Sequence, residues 1–239
     1  MTKNILETAK TLVYAVAIAL VVRTFAYEPF NIPSGSMKPT LLVGDYLFVS
    51  KWAYGYNRHS FPFSLPLIGG RVLSSTPERG DVAVFKLPSD NRTDYIKRIV
   101  GLPGDEIQVT DGILSINGEQ VDREPLEPFV EDGDGAPTVR RYVEELPGGR
   151  TYEVLDSTDN GRLDNTRGYT VPDGHVFAMG DNRDNSQDSR TTQVSFIPMT
   201  NLVGRAEIRF FSIEGSSSWW MPLQWPAKIR YDRILSGIE

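Results

Sequence analysis

Two serines lie close together in a segment whose composition favours a rigid bend. Ser34 and Ser36 belong to residues 32–41, with the sequence IPSGSMKPTL. The two prolines restrict φ, and Gly35 between the serines permits backbone conformations that other residues avoid. A serine hydroxyl held in such a bend can be aimed at a carbonyl carbon, so nucleophilic catalysis is the chemistry that this segment could perform. An ordinary Pro/Gly turn with two solvated serines is the alternative.

A serine nucleophile needs a base, and Lys97 is a candidate. Alternation along DYIKRIVG places Tyr95, Lys97 and Ile99 on one face of a predicted strand. A base that is neutral at pH 7 needs a pKa lowered from about 10.4 to about 7, a difference of about 4.6 kcal/mol that burial among apolar side chains can supply. Spacing alone does not distinguish Lys97 from Lys51 or Lys86, and a solvated charge at a strand edge is the alternative for each.

A third stretch, residues 180–190, is almost wholly polar and follows a predicted strand directly. Its sequence, GDNRDNSQDSR, lacks the glycine and the final glutamate that an EF-hand calcium loop requires. Alternating Asp, Asn, Ser and Arg residues suit a hydrogen-bond network that holds a loop in one shape. We therefore interpret this stretch as a structural support rather than a calcium site.

Composition excludes several classes of function. The chain has 239 residues, a formal net charge of −6, no cysteine and only two histidines, His59 and His175. The acidic balance argues against a nucleic-acid partner. The absence of cysteine excludes a thiol nucleophile and thiolate metal sites, and neither histidine has a metal-type spacing. We expect neither a cofactor nor a metal.

The catalytic candidates follow the one strongly apolar segment, residues 11–27. The segment is short for a membrane span, but suffices if Arg23 reaches towards the exit surface. A cleavable signal peptide is the alternative, although Thr24-Phe-Ala26 makes a poor cleavage site. We favour a retained single transmembrane helix. Lys3 and Lys10 upstream indicate a cytoplasmic N-terminus, which would place the rest of the chain outside.

The elements after this segment alternate with the period of β-strands. DYLFVSKW, DVAVFKL, DYIKRIVG, EIQV, ILSIN, HVFAM and LVGRAEIRFFS all read as strands. Asp111-Gly112 and Asn117-Gly118 predict two tight turns. The predicted fold is mostly β, with an antiparallel catalytic core that is interrupted by an inserted β subdomain and preceded by one N-terminal transmembrane helix.

Changes in composition divide the chain into five parts. The insert is acidic and rich in Gly, Asp and Thr, and the tail combines tryptophans with basic residues. The tail could be an interfacial anchor or a cap over the core. The predicted parts are an N-terminus and membrane anchor (1–27), the first part of the core (28–121), the insert (122–172), the second part of the core (173–214) and the tail (215–239).

Three stretches together resemble the bacterial type I signal peptidases, also called leader peptidases. They are IPSGSMKPTLLVGD, RGDVAVFKLP with YIKRIVGLPGD, and MGDNRDNSQDSR, in the order that this family has them. The resemblance implies a membrane-bound serine endopeptidase with a Ser/Lys dyad. Such an enzyme removes signal peptides from exported preproteins at the outer face of the cytoplasmic membrane. It also implies a mostly β fold with a second β domain inside the catalytic core.

The resemblance assigns roles residue by residue. Ser36 would be the nucleophile, Lys97 the general base, and Ser34 a donor to the oxyanion beside the Ser36 backbone N–H. The supporting residues would be Ser186, which orients the lysine ammonium, and Asp188 with Arg190, which brace the loop.

The resemblance also implies how substrates bind. The matching groove residues are Phe30, Ile32, Leu41, Tyr95 and Ile96. Their shallow apolar pockets would accept small side chains at substrate positions −1 and −3. The expected partners are therefore exported preproteins and membrane lipid, with the catalytic part on the extracytoplasmic side.

Two other classes of function remain open at this stage. A LexA-like Ser/Lys autoprotease shares a Ser-Met-x-Pro element and a strand lysine. A non-catalytic, membrane-tethered β domain would use Ser36 and Lys97 only as structural residues. Residues 11–27 and the 180–190 stretch argue against the autoprotease.

Overall fold

The structure is a computed structural model that describes residues 2–61, 64–65, 68–131, 137–214 and 225–238. In these ranges the chain is mostly β, with a long N-terminal helix. The two α-helices are α1 (Thr2–Phe25) and α2 (Trp225–Lys228). The predictions of a mostly β fold and of one N-terminal apolar helix are therefore confirmed.

Most of the strands coincide with the alternating segments of the sequence. The strands of the described residues are β1 (Tyr27–Asn31), β2 (Asp45–Ser50), β3 (Val82–Lys86), β4 (Asp94–Gly101), β5 (Glu106–Thr110), β6 (Ile113–Ile116), β7 (Glu119–Gln120), β8 (Asp122–Val130), β9 (Thr138–Glu145), β10 (Thr151–Asp156), β11 (Tyr169–Thr170), β12 (His175–Met179), β13 (Ile197–Pro198), β14 (Leu202–Ser212) and β15 (Ser236–Gly237). Short 3-10 helices lie at Arg58–Ser60, Arg183–Asn185, Met199–Asn201 and Tyr231–Arg233.

The largest sheet brings together strands that are far apart in the sequence. Its order is β1-β2-β14-β3-β4-β12-β13, with β15 beside β14, and all of its pairs are antiparallel. β14 inserts between β2 and β3, and β12 pairs with β4. Strands from both parts of the predicted core therefore join in one sheet, and β4 lies inside it with a neighbour on each side.

Two smaller sheets contain the rest of the strands in the described residues. β5, β6 and β7 are joined by the tight turns predicted at Asp111-Gly112 and Asn117-Gly118, where all four residues have positive φ. β8, β9 and β10 form a separate antiparallel sheet within the predicted insert. β11, near the end of that region, instead pairs with β5.

The N-terminal helix is longer than the apolar segment that predicted it. Within it, Glu7–Phe25 is long and apolar enough to span a membrane, and 6% of that window is buried against the protein. Arg23 at its end does not stand alone, because its guanidinium bonds the Glu28 carboxylate at 2.6 Å. Glu28 also binds Lys51 at 2.6 Å, so one carboxylate joins two cationic side chains at the exit of the helix.

The described part of the C-terminal tail packs on the main sheet. β15 pairs with β14, and the Ile238 side chain packs against the core cluster that contains Leu41. Residues 215–224 lie outside the described residues, so the interpretation of the tryptophan-rich segment as anchor or cap falls outside them.

Candidate active site

The segment 32–41 connects β1 to β2 and is closed at its base by backbone hydrogen bonds. The Ile32 amide donates to the Asp45 carbonyl at 2.8 Å, and the Gly44 amide donates to the Ile32 carbonyl at 3.0 Å. Met37 and Leu41 are fully buried below it. These apolar anchors, rather than the glycine, hold the bend. Gly35 does not have a positive φ, which corrects the expectation from sequence.

The structure brings Ser36 and Lys97 together from segments 61 residues apart. Lys97 Nζ donates to Ser36 Oγ at 2.7 Å and to the Ile96 carbonyl at 2.8 Å. Lys97 lies on β4 and is only 3% exposed. The other two candidate lysines are engaged in ion pairs, Lys51 with Glu28 and Lys86 with Asp94. Among the three, Lys97 is the one whose amine contacts a serine hydroxyl.

Burial lowers the pKa of Lys97 from its ordinary value to about 8, although the charges of Asp188 and Asp181 act in the opposite direction. The pKa is lower than that of a solvated lysine because the ammonium loses hydration inside the protein. The pKa of Lys97 is nevertheless above 7, the value that the sequence analysis required for a base that is neutral at pH 7. The site therefore contains a base whose population of neutral amine increases steeply above neutrality.

Ser34 lies on the solvent side of the same bend. Its Oγ is 3.5 Å from the Ser36 Oγ, at the limit of a hydrogen bond. The Ser34 hydroxyl and the Ser36 backbone N–H are thus close to one another at the nucleophile. Two donors in this position could stabilise an oxyanion that forms when Ser36 attacks a carbonyl.

The polar stretch 180–190 packs behind the dyad as a network of buried charges. Arg190 donates to both carboxylate oxygens of Asp188 at 2.9 and 2.8 Å. The Gly180 amide donates to Asp188 at 3.0 Å, and Arg190 also bonds the carbonyl of Arg183 at 2.7 Å. Burial opposes ionisation of Asp188, but these donors, with Arg190 first, hold its pKa below the usual value.

The predicted bond from Ser186 to the Lys97 amine is not present. Ser186 Oγ is buried without a partner of hydrogen-bond geometry among the described residues, although it lies near enough to Asp188 to lower that pKa. The Ile96 carbonyl takes the place expected for Ser186 at the amine. The backbone of β4 itself therefore orients the lysine, and Ser186 packs against Gly180 instead.

Two residues that sequence reasoning missed join the polar stretch to the dyad. Asn182 donates its backbone N–H to the Ser36 carbonyl and its Nδ2 to the Gly35 carbonyl, both at 3.1 Å.

Asp181 forms a two-pronged ion pair with Arg98, at 2.9 and 2.8 Å, and both side chains are almost fully buried. Arg98 is adjacent to Lys97, so this pair fixes β4 against the stretch. The one signal in the sequence that could have identified Asp181 and Asn182 is their position in the polar stretch 180–190.

A cleft of about 370 Å³ opens onto the dyad. Its walls include Pro33, Ser34, Tyr95 and Ile96, and its lining surface is mostly apolar at this end. Of the predicted groove residues, Tyr95 and Ile96 line this cleft. Ile32 and Leu41 do not line it and are buried in a core cluster, and Phe30 packs on that cluster and lines a neighbouring polar cleft.

Replacement of Gly180 by alanine is expected to lower kcat by about 10²-fold, because misplacing the reacting groups by about 1 Å costs that much. A Cβ here would lie 2.2 Å from Ser186 Oγ and 2.5 Å from the Ser36 carbonyl oxygen. Residues 32–41, which we call the nucleophile segment, would have to move. The measurement is the steady-state rate of peptide hydrolysis by the folded variant. Gly69→Ala, where a Cβ meets nothing within 4 Å, is the matched control. An unchanged kcat in folded Gly180→Ala would refute this account.

Comparison with known proteins first defines the class, which is that of the peptidases. The profile of the family described as "Signal peptidase, peptidase S26" matches residues 5–211. The chain therefore belongs to the signal peptidase I family of peptidases, as the three sequence stretches predicted. It is a hydrolase that cleaves signal peptides, and the alternatives of an autoprotease and a non-catalytic domain are set aside.

Relatives match over nearly the whole chain. "Signal peptidase I" from Rickettsia typhi is 39% identical over 226 residues, covering 91% of this chain and 84% of the relative. "Signal peptidase I" from Rickettsia canadensis is 40% identical over 223 residues, covering 88% and 81%. A crystal structure of a signal peptidase I from Enterococcus faecalis V583 matches 55% of this chain and 97% of that one, at 24% identity and a TM-score of 0.32.

Proposed function

We propose that this peptidase uses Ser36 as its nucleophile and Lys97 as its general base. The observation that carries the proposal is the 2.7 Å contact between Ser36 Oγ and the Nζ of a lysine that is almost completely buried. A hydroxyl needs a base within hydrogen-bond reach, and a lysine can act as one only where burial lowers its pKa. Both conditions meet at this pair.

The proposed reaction accounts for each proton. The neutral amine of Lys97 takes the Ser36 proton while Oγ attacks the scissile carbonyl carbon, and the Ser34 hydroxyl with the Ser36 N–H donates to the oxyanion. The Lys97 ammonium then gives its proton to the departing amine of the mature protein. The Lys97 amine, again neutral, then deprotonates a water molecule that attacks the acyl-enzyme. This step releases the signal peptide, and Ser36 Oγ takes the proton back from Lys97.

The proposed specificity is for small residues at positions −1 and −3. The cleft beside the dyad has a mostly apolar lining, with Pro33, Tyr95 and Ile96 among its walls. Such a surface discriminates by excluding bulk, since it offers few polar groups for pairing. Tyr95 and Ile96 would contact the substrate residues that precede the scissile bond.

The proposed location is the cytoplasmic membrane, with Glu7–Phe25 as the single span. Length, hydropathy and near-complete exposure of this helix support that assignment. Ser36 lies eleven residues after Phe25, where the helix ends, so the site would act on bonds presented close to the bilayer. Lys3 and Lys10 favour a cytoplasmic N-terminus and an extracytoplasmic catalytic part. Exported preproteins and membrane lipid are the proposed partners.

Activity is expected to rise with pH through about 8, the value to which burial lowers the pKa of Lys97. The neutral amine is the active form, so the rate falls as pH drops below this value. At pH 7 about one-tenth of the lysine is neutral, so kcat/KM should increase about fivefold between pH 7 and pH 8 and level off above pH 9. The measurement is kcat/KM of the full chain in detergent micelles from pH 6 to pH 10.

Circular dichroism at each pH provides the control, because it shows whether the fold is retained over the range. A flat profile between pH 6 and pH 10 in a folded enzyme would refute a buried lysine base. A kcat/KM that is still rising steeply at pH 10 would indicate a solvated lysine, with a pKa of about 10.4, and would refute it equally.

A further inference from the structure

A second cavity, of about 550 Å³, lies on the other side of the nucleophile segment. We call it the basic cavity and define it by the lining residues Pro39, Thr40, Thr151, Glu153, Arg209 and Arg233. Arg209 comes from β14 and Arg233 from the 3-10 helix before β15. Thr151 and Glu153 come from β10. The cavity therefore lies where the main sheet, the C-terminal segment and the β8-β9-β10 sheet meet.

The Arg209 guanidinium forms no direct ion pair with a carboxylate among the described residues, although the charges of Asp45 and Asp232 act on it from farther away. Its guanidinium donates to the Ser236 hydroxyl and to the carbonyls of Thr40 and Gly237, all at 2.8 Å, which are neutral acceptors. Burial and the nearby charge of Arg233 lower its pKa. Two guanidiniums therefore lie side by side at the cavity, and Arg209 retains N–H groups beyond those in its three bonds.

Two of the nearby carboxylates are already engaged, and a third, Asp232, is exposed and acts on Arg209 through its charge. Asp45, fully buried behind the cavity, binds Arg233 at 2.6 Å and accepts the Ser212 hydroxyl at 2.7 Å. Glu153 on the cavity wall pairs with Arg141 at 3.4 Å. Partly buried charges are stabilised by opposite charge, so an anionic group is the ligand that this cavity would bind best.

The position of the cavity identifies the source of that anion. The nucleophile segment runs from Pro33 and Ser34, which line the apolar cleft, to Pro39 and Thr40, which line the basic cavity. The two cavities therefore flank Ser36. In the proposed path, a peptide whose residues before the scissile bond occupy the apolar cleft continues past Ser36 towards Pro39. Ser36 and Pro39 are three residues apart, so their Cα atoms are at most about 11 Å apart, and three residues of extended substrate span about 10 Å.

We propose that the basic cavity binds an acidic side chain of the substrate, located two to four residues after the scissile bond, through Arg209 and Arg233. The proposal rests on the proposed function, because it assumes that substrates cross Ser36. It adds a preference on the mature side of the cleavage site. An acidic residue there would tighten substrate binding, and an amide of the same shape would not.

The test compares matched peptides that carry Glu or Gln at the second, third or fourth residue after the scissile bond. The full chain in neutral detergent should cleave the best Glu peptide with about five- to tenfold higher kcat/KM than its Gln counterpart, mainly through a lower KM. The difference should decrease as salt is added. Arg209→Lys should retain the preference and Arg209→Gln should lose it. Arg205→Gln, on the same strand but in another cavity, should retain it.

Thr151→Glu is the second variant, in case Arg209→Gln fails to fold. It places a carboxylate inside the same cavity and should remove the preference without disturbing the bonds of Arg209. Equal cleavage of Glu and Gln peptides by the wild type would overturn the proposal, as would a preference that survives in folded Arg209→Gln. Equal cleavage combined with Arg209-dependent inhibition by anionic lipid micelles would assign the cavity to a headgroup instead. No cleavage of any peptide would refute the proposed function.

Discussion

Replacement of Ser36 by alanine is expected to abolish signal-peptide cleavage, with a fall in kcat of about 10⁴-fold or more. The change removes the one oxygen that lies 2.7 Å from the Lys97 amine. The surrounding bend should persist, since Met37 and Leu41 are buried and the backbone bonds at its base do not involve the hydroxyl. Substrate should therefore still bind. The measurement combines cleavage of a preprotein with equilibrium binding of the signal-peptide substrate.

Ser115→Ala offers the matched control for this variant. Ser115 is a half-buried serine on β6, in a different sheet from the dyad, and its loss should leave kcat unchanged. Persistent turnover by pure Ser36→Ala enzyme would show that another group attacks the carbonyl. Loss of binding together with loss of turnover would show that the segment itself had collapsed, and would refute the proposed separation of chemistry from binding.

The fold was largely predictable because its strands carry strong local signals. β4 reads as a strand from alternation alone, and Asp111-Gly112 and Asn117-Gly118 specify turns in which positive φ is required at both positions. The pairing of these strands was harder to predict from the sequence. β14 lies between β2 and β3, which are separated from it by more than a hundred residues of sequence, and periodicity contains no information about such partners.

The candidate site was likewise predictable only in part. Ser36 and Lys97 could be singled out because their types and local context suggest chemistry. The supporting contacts could not, because they join distant backbone groups. Asn182 bonds the carbonyls of Gly35 and Ser36, and the Ile96 carbonyl replaces Ser186 at the lysine. A carbonyl is the same in every residue, so no residue type marks it as a partner.

The surroundings of Lys97 explain why its pKa is low even though acidic groups are close. Asp181 and Asp188 both act on the amine through their charge, but each is bonded to its own arginine, Arg98 and Arg190. The paired carboxylates are therefore poor counter-ions for the lysine. Desolvation then exceeds attraction, and the pKa of Lys97 falls below its ordinary value. The buried ion pairs thus leave the Lys97 amine without a direct partner of opposite charge, as the proposed role of a general base requires.

Lys97→Met is expected to lower kcat by about 10³- to 10⁴-fold near neutral pH, in the range that general bases supply. Methionine keeps an unbranched side chain of similar length in the same space, but it has no group that can accept the Ser36 proton. It also removes a buried charge. The free energy of unfolding should therefore not fall, in contrast to most substitutions of core residues, and thermal melting in detergent should show this.

Lys86→Met separates the loss of this base from the loss of any lysine. Lys86 lies on the neighbouring strand β3 and pairs with Asp94, and its replacement should leave kcat within about twofold because exposed ion pairs contribute little energy. Folded Lys97→Met that cleaves preprotein at the wild-type rate would rule out the dyad. A variant that loses activity only in proportion to lost stability would assign Lys97 to the core. Loss of turnover in a chain at least as stable as the wild type requires that the amine itself perform the chemistry.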